Sequence, residues 1–186
     1  MFKILARAYY YFSGWKIVGK VPAESCVIVG AFHTSNWDAF PALGANELTE
    51  SNVYWMAKSS LFWWPLGAIM RALGGVPVDR GSHEDVVAGA VHRFKTKPRF
   101  KLALSPEATR KKNSHWKTGF YYIARDAKVP LVGCGLDYKN RHLVFSPPIY
   151  LSSDPQADIS KLREFFRPFV PKHPEQADPN FTVDIK

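Results

Sequence analysis

The sequence predicts a single α/β domain, a sandwich with a mostly parallel central sheet flanked by helices. Short apolar runs rich in β-branched residues alternate with stretches of helical periodicity along the 186 residues. A chain of this length suits one domain with a sizeable core. Hydrophobic residues make up 46% and aromatic residues 15%, which argues against disorder. Because no internal repeat and no convincing boundary is evident, residues 1–186 are expected to form one domain.

The first 20 residues predict an amphipathic helix. One helical face carries large apolar side chains, namely Phe2, Leu5, Tyr9 and Phe12. Two basic residues, Lys3 and Arg7, lie on another face. Such a helix can lie in a membrane interface with its rings at headgroup depth, or pack the same face on the core. The residues of this helix favour both arrangements equally, and we expect membrane association because a second such segment occurs in the same basic chain.

Six strands and five helices are predicted after this segment. The strands are apolar runs at residues 27–32, 52–57, 76–78, 100–105, 130–136 and 142–146. Helices are predicted to begin near Trp37 and after Ser82, and to cover residues 59–73, 116–127 and 158–169. Ser82 with Asp85 forms a capping-box-like start. Residues 171–186, rich in Pro, Asp and Asn, are expected to be a loosely ordered tail.

A second apolar segment, residues 61–70, is rich in tryptophan. Its ten apolar residues are too few for a membrane-spanning helix, which needs about 18 or more. Trp63 and Trp64 lie near Lys58 and Arg71, which suits a membrane–water interface, although a buried helix is the simpler alternative. The N-terminus lacks the continuous apolar region and cleavage site of a signal peptide. We therefore expect a peripheral or monotopic protein on the cytoplasmic side of the cell membrane.

The net charge of +9 and the sequence pI of about 9.6 predict an anionic partner. Nucleic acid, an anionic lipid surface and a phosphorylated small substrate all fit this charge, and composition does not choose among them. Cys26 and Cys134 lie in apolar runs and are expected to be free thiols. Neither has a Cys or His at zinc-ligand spacing, so no metal site is expected.

The segment HTSNWD, residues 33–38, places a histidine directly after the predicted strand 27–32. Ser and Asn are common helix N-caps, so a helix that starts near Trp37 holds Asp38 in its first turn. The chain reversal can bring Asp38 back to one ring nitrogen of His33, which leaves the other nitrogen as a general base. Such a pair also arises by chance, and a loop histidine without a catalytic role is the plain alternative.

Polar residues follow two further predicted strands. Arg80 follows strand 76–78, and both Glu107 and Arg110 follow strand 100–105. Ligand sites in open α/β sheets gather beyond the carboxyl ends of the strands. These side chains are therefore expected at the same edge of the sheet as the HTSNWD segment.

Three motifs, in this order, resemble those of the glycerolipid acyltransferase family, typified by bacterial 1-acylglycerol-3-phosphate acyltransferases. HTSNWD matches the family's His-x-x-x-x-Asp motif, GVPVDR (residues 75–80) its Gly-x-x-x-x-Asp-Arg-like motif, and SPEATR (residues 105–110) its Pro-Glu-Gly-Thr-Arg motif. A weaker fourth block, small apolar residues around a proline, resembles VPLVGCG at residues 129–135. Ala108 stands where the family has glycine, and it strains the turn if the backbone there is left-handed.

The resemblance implies transfer of an acyl group from a thioester to a hydroxyl of a lysophospholipid or glycerol phosphate, such as 1-acylglycerol-3-phosphate. His33 is then the base that takes the hydroxyl proton, and Asp38 orients it. The implied substrate-binding residues are Arg80, Glu107, Thr109 and Arg110. The two arginines match the family's phosphate-binding positions. The glutamate is expected to orient an arginine or a substrate hydroxyl, and the threonine to donate to the phosphate or shape the turn.

No bound cofactor and no covalent acyl-enzyme are implied by the resemblance. The acyl group comes from acyl-CoA or from acyl carrier protein, each as a thioester co-substrate. The expected partners are this donor, the acceptor and an anionic membrane surface.

Alternatives remain open for the acceptor and for the activity. Another lysolipid or an amino-lipid could be the acceptor, because pocket shape decides its identity. A catalytically impaired basic protein that binds lipid or nucleic acid is a further possibility, with Ala108 as a sign of decay. Nucleic acid is the less expected partner, because arginines that converge on His33 do not form an aromatic-lined groove. A metal-dependent hydrolase using His33 and Asp38 lacks further ligands at suitable spacing.

Overall fold

A seven-stranded sheet runs through the part of the chain that the computed structural model describes, residues 2–79 and 83–185. Its strands are β1 (Lys16–Val18), β2 (Cys26–Ala31), β3 (Val53–Lys58), β4 (Gly75–Val78), β5 (Lys101–Leu104), β6 (Leu131–Asp137) and β7 (His142–Phe145). Their spatial order is β1-β7-β6-β2-β5-β3-β4. Neighbouring strands are parallel except for the antiparallel pair β6 and β7. The predicted α/β fold with a mostly parallel sheet is confirmed.

Helices flank both faces of this sheet. Those found in the described residues are α1 (Phe2–Ser13), α2 (Ala39–Thr49), α3 (Leu66–Ala72), α4 (His83–Thr96), α5 (Gly119–Ala127) and α6 (Pro155–Phe166). Short 3₁₀ turns lie at Asn36–Asp38, Ser59–Leu61 and Pro174–Gln176. The helix expected after Ser82 is α4; Ser82 itself lies outside the described residues.

The central strand β2 is buried on both faces. Val27 and Val29 belong to the larger core, which also contains side chains of α4, α5 and α6. Cys26 and Ile28 alternate with them and belong to a smaller core on the other face. This two-sided burial explains why the strand reads as a continuous apolar run rather than an alternating one. Both cysteines are free, as expected.

The N-terminal helix is shorter than the predicted 20 residues. It ends at Ser13, and Gly14 follows with a φ of +73°, a left-handed conformation that favours glycine. The chain then enters β1 at Lys16, an edge strand that the sequence did not indicate.

The packed face of α1 differs from the predicted apolar face. Ala6 and Tyr10 are its buried residues, and the Tyr10 hydroxyl donates to the carbonyl of Pro41 in α2 at 2.8 Å. Five large apolar side chains of α1 remain exposed, namely Phe2, Ile4, Leu5, Tyr11 and Phe12. Core packing therefore does not account for most of the apolar surface of this helix. None of the described helices is both long and apolar enough to cross a membrane.

The helix predicted over residues 59–73 is interrupted in the middle. Proline disfavours helical backbone at the residue before it and lacks an N–H donor, so α3 begins only after Pro65. Gly67 then packs against the backbone of Phe62, where a Cβ atom would lie 2.2 Å from the Phe62 carbonyl oxygen. This tight turn leaves Trp63 and Trp64 exposed to solvent.

Two other predicted helices begin three residues away from their expected starts. α5 begins at Gly119 because the N–H of Trp116 donates to the carbonyl of Thr182, outside any helix. α6 begins at Pro155 because the Asp154 carboxylate caps it, accepting from the N–H groups of the next turn.

The C-terminal segment is packed, in contrast to the loosely ordered tail that its composition predicts. Phe181 is fully buried, and its ring stacks on Trp116 at a centroid distance of 3.4 Å. Val183 is buried beside it in the larger core. Two apolar side chains thus hold the end of the chain against the sheet, despite the polar residues around them.

The direction of β7 determines which elements share an edge of the sheet. Because β7 is antiparallel to β6 and β1 is parallel to β7, β1 begins where β6 ends. Lys16 pairs with His142, which in turn pairs with Asp137 at the end of β6. The C-terminal end of α1 therefore lies at the carboxyl edge of the parallel strands.

Candidate active site

The HTSNWD and SPEATR segments meet at this carboxyl edge. β2 and β5 are parallel neighbours with Val29 opposite Leu104, so the loops after them leave the sheet side by side. A direct hydrogen bond joins the loops: the N–H of His33 donates to Glu107 Oε2 at 2.8 Å. The expected convergence of these two motifs is thus present in the structure.

The candidate base and its carboxylate are in direct contact. His33 Nδ1 lies 2.9 Å from Asp38 Oδ2. The same oxygen accepts from the N–H of Ser35 at 3.0 Å, and the Ser35 hydroxyl accepts in turn from the N–H of Trp37. This capping box closes the reversal that the sequence predicts.

The two side chains of the pair differ in their exposure to solvent. The Asp38 side chain is 4% exposed, whereas that of His33 is 36% exposed. Within residues 2–79 and 83–185, Nε2 of His33 has no hydrogen-bond partner. A buried carboxylate on Nδ1 and a free Nε2 are the arrangement that general base catalysis requires.

Tyr138, which the sequence analysis did not identify, binds the second carboxylate oxygen of Asp38. Its hydroxyl donates to Asp38 Oδ1 at 2.6 Å. Burial and this hydrogen bond to a carboxylate raise the pKa of Tyr138, so the hydroxyl stays protonated and remains a donor. The two residues are 100 positions apart in the chain, and no sequence pattern links them.

Glu107 holds the backbone of the candidate base. Its Oε2 accepts from the N–H of His33 and from the hydroxyl of Ser105, the latter at 3.1 Å. Burial raises the pKa of Glu107 above its usual value, and these two bonds offset part of that effect. Neither donor is an arginine, so in this structure the glutamate orients the base loop; its contact with a substrate stays a prediction.

The other expected substrate-binding residues are less fixed by the protein. Thr109 Oγ1 accepts from the N–H of Lys111 at 3.2 Å and so shapes the turn. Arg110 is exposed, and its guanidinium has no hydrogen bond or ion pair with any described residue. Arg80 lies outside the described residues. Asp79, just before it, accepts a hydrogen bond from the hydroxyl of Ser59.

The C-terminal segment crosses the site and ties its loops together. The N–H of His173 donates to Thr34 Oγ1 at 3.2 Å. The side-chain amide of Gln176, with its nitrogen towards the two loops, donates to the carbonyls of Thr34 at 3.1 Å and Arg110 at 2.5 Å. Residues that composition assigned to a loose tail therefore form one wall of the site.

Lys172 adds a positive charge over Trp37, next to Asp38 in the chain. Its Nζ lies 4.7 Å from the centroid of the Trp37 ring and 6.0 Å from that of Tyr138. Cation–π attraction of this kind holds an ammonium group without neutralising its charge. The charge stays available to an anionic substrate.

The chemistry open to the described residues depends on the metal ligands they offer and on the cavity between α4 and α5. The described residues contain no group of three or more His, Cys, Asp or Glu side chains that could hold a metal ion. A cavity of about 860 Å³ lies between α4 and α5, lined in part by Val87, Val91 and Tyr122. Its lining includes no residue of HTSNWD or SPEATR, so we place the chemistry at the open edge around His33.

Ala108 adopts the left-handed conformation that its family glycine permits, with a φ of +55°. For a residue with a Cβ atom this conformation costs roughly 1–2 kcal/mol. Glycine avoids that cost, but it loses more conformational entropy on folding, which offsets part of the gain. Ala108→Gly is therefore expected to raise the free energy of unfolding by about 0.5–1 kcal/mol, measured by urea denaturation.

Lys128→Gly is the matched control for this substitution. Lys128 has the same φ of +55°, at the end of α5 and outside the motifs, and a similar gain is expected there. If Ala108→Gly lowers the stability while Lys128→Gly raises it, the turn at residue 108 is not strained.

Comparison with known proteins identifies the fold and the family of this chain. The solved structure of the 1-acyl-sn-glycerophosphate (LPA) acyltransferase PlsC from Thermotoga maritima superposes with a TM-score of 0.59, at 16% sequence identity. The match covers 88% of this chain and 74% of the PlsC chain, which shows a shared fold. No curated protein matches in sequence. The acyltransferase family profile matches residues 16–137, about two thirds of the chain, and the chain therefore belongs to the acyltransferase family.

Proposed function

We propose that this acyltransferase moves a fatty acyl group from an acyl thioester to a hydroxyl of a lysophospholipid or glycerol phosphate, such as 1-acylglycerol-3-phosphate. The observation that carries the proposal is the contact of His33 Nδ1 with the buried Asp38 carboxylate, next to a loop fixed by Glu107. The donor is acyl-CoA or acyl carrier protein. The acyltransferase family and the fold shared with PlsC support the same reaction class.

The reaction follows from the free ring nitrogen. His33 Nε2 takes the proton of the acceptor hydroxyl while its oxygen attacks the thioester carbonyl carbon. The tetrahedral intermediate collapses by breaking the carbon–sulfur bond, and the imidazolium returns its proton to the leaving thiolate. The buried negative charge of Asp38 stabilises the imidazolium in between. General base assistance of this kind contributes about 10²–10⁴-fold to the rate.

Cations around His33 are suited to an acceptor that carries a phosphate. Arg110 is exposed, its guanidinium is not paired with any residue in the described part of the chain, and Lys172 lies on the face of Trp37. Guanidinium groups bind phosphate through paired hydrogen bonds, and Arg80 supplies a second one in the family motif. The overall charge of +9 favours the approach of any anionic lipid.

An apolar rim surrounds the same edge of the sheet. Because β3 is parallel to β5, the turn after β3 also leaves the sheet at this edge. We define the apolar rim as the exposed residues Tyr11, Phe12, Trp37, Phe40, Leu61, Trp63 and Trp64. Exposed rings beside basic residues suit the membrane–water interface. We propose that the rim rests on the cytoplasmic face of the cell membrane, with anionic lipids as its partner.

The test is thiol release from a panel of acyl-CoA and acyl carrier protein thioesters, with lysophosphatidate, other lysolipids and amino-lipids as acceptors. We expect acceptor-dependent release by the wild type and a loss of about 10²–10⁴-fold in His33→Ala. The preferred acceptor identifies the substrate class.

Two other outcomes count against the proposal. Release that persists in His33→Ala removes the histidine from the mechanism. No release from folded, lipid-bound wild type across the panel favours an impaired binding protein, and recovery in Ala108→Gly would assign the impairment to that turn.

A further inference from the structure

We propose that Tyr138 is a positioning residue for the His33–Asp38 pair, holding the carboxylate in the rotamer that the base requires. The proposal rests on the proposed function, since it assigns a role within that same site. Tyr138 lies one residue beyond the part of the chain that the family profile matches, residues 16–137. It also lies outside the HTSNWD, GVPVDR and SPEATR motifs.

The two oxygens of Asp38 have separate sets of donors. Oδ2 accepts from His33 Nδ1 and from the N–H of Ser35. Oδ1 accepts from the Tyr138 hydroxyl at 2.6 Å, and no other described residue donates to it. Carboxylate groups rotate readily about the Cβ–Cγ bond. One fixed donor on each oxygen blocks that rotation and keeps Oδ2 opposite the imidazole.

Tyr138 is itself held from three directions. It follows β6 directly, and its N–H donates to the carbonyl of Val170 at 2.8 Å. The ring packs edge-on against Trp15 at a centroid distance of 5.1 Å and an angle of 89°. On a further side it approaches the ammonium group of Lys172. The hydroxyl therefore has little freedom to leave Asp38, as expected of a group that positions another.

Tyr138→Phe keeps the ring and removes only this donor. The imidazolium forms during the reaction, so a misaligned carboxylate weakens the transition state more than substrate binding. A hydrogen bond to a charged group is strong enough that we expect kcat to fall by about tenfold or more, with KM within about twofold of the wild type.

Two measurements test this together. Steady-state thiol release gives kcat and KM, and proton NMR gives the resonance of the His33 Nδ1 hydrogen. Loss of alignment is expected to broaden this resonance and move it upfield, because the bond to Asp38 lengthens and exchange with water becomes faster. Thermal denaturation establishes that the assay temperature lies below the unfolding transition of each variant.

Tyr150→Phe is the matched control. The Tyr150 hydroxyl also donates to a carboxylate, that of Glu24 at 2.7 Å. It lies at the opposite edge of the sheet, next to Ile149, which bridges to Leu131 at the start of β6. Both kcat and the His33 resonance are expected to match the wild type.

The possible results separate this inference from the proposed function. A fall in kcat with constant KM and an altered His33 resonance in Tyr138→Phe supports it. An unchanged resonance with unchanged kcat overturns it, and so does a rise in KM alone, which would make Tyr138 a substrate contact. If the wild type releases no thiol, the proposed function fails, and the resonance still decides whether Tyr138 orients the pair.

Discussion

Asp38→Asn is expected to lower kcat by about 10²–10⁴-fold with little loss of stability. Three donors surround the carboxylate, two of them on Oδ2. The amide oxygen of asparagine can replace Oδ2, so the bonds to His33 and Ser35 survive. The amide nitrogen then faces the Tyr138 hydroxyl, which can rotate to accept. What the variant lacks is the negative charge that stabilises the imidazolium.

The measurement is kcat for acceptor-dependent thiol release beside the free energy of unfolding. Asp158→Asn is the matched control, because Asp158 is also fully buried and accepts from the N–H of Ser152 at 2.8 Å. It lies in α6, outside the catalytic loops, and its kcat is expected to match the wild type. Near-normal kcat in Asp38→Asn would mean that the carboxylate has only a structural role.

Replacing four residues of the apolar rim by serine is expected to weaken vesicle binding by about 10²-fold or more. The four are Tyr11, Phe12, Trp63 and Trp64, each more than half exposed. Full burial of a large apolar side chain contributes about 1.5–3 kcal/mol, so even partial insertion of four rings gives an effect of this size. Since these side chains face solvent, the free energy of unfolding should change little.

Co-sedimentation with vesicles that contain phosphatidylglycerol measures the binding. Tyr150→Ser is the control: Tyr150 is exposed to a similar degree, at the opposite edge of the sheet. It is expected to bind vesicles like the wild type. Equal weakening by the control would show nonspecific attraction, and wild type that stays in solution contradicts membrane attachment by the rim.

The parts of the fold that local sequence determines were predictable. Apolar runs of three to seven residues located six of the strands, because strands in a parallel sheet are buried on both faces. The edge strand β1 was not found, since its three residues carry no such pattern. The helix predicted over residues 59–73 is interrupted at Pro65, because proline disfavours helical backbone at the preceding residue even within an apolar run.

The candidate site was predictable only where its contacts are local in the chain. The His33–Asp38 contact spans five residues and is set by a capping box, so the spacing was enough. Tyr138 contacts Asp38 and Lys172 lies over the neighbouring Trp37 ring, and both come from segments that are distant in the chain. Phe181 shows the same limit, because one buried ring outweighs a polar composition that indicates a loose tail.

Because β7 runs antiparallel to β6, the candidate site and the C-terminal end of α1 lie at the same edge of the sheet. A protein that contacts the membrane surface with this edge meets its acceptor by lateral diffusion within the lipid, not by collision in bulk water. Turnover then depends on the mole fraction of acceptor in the surface, and diluting the acceptor with inert lipid slows the reaction even when its total concentration is constant. In the proposed arrangement, the thioester donor reaches the same edge of the sheet from the aqueous side, so one substrate is supplied in two dimensions and the other in three.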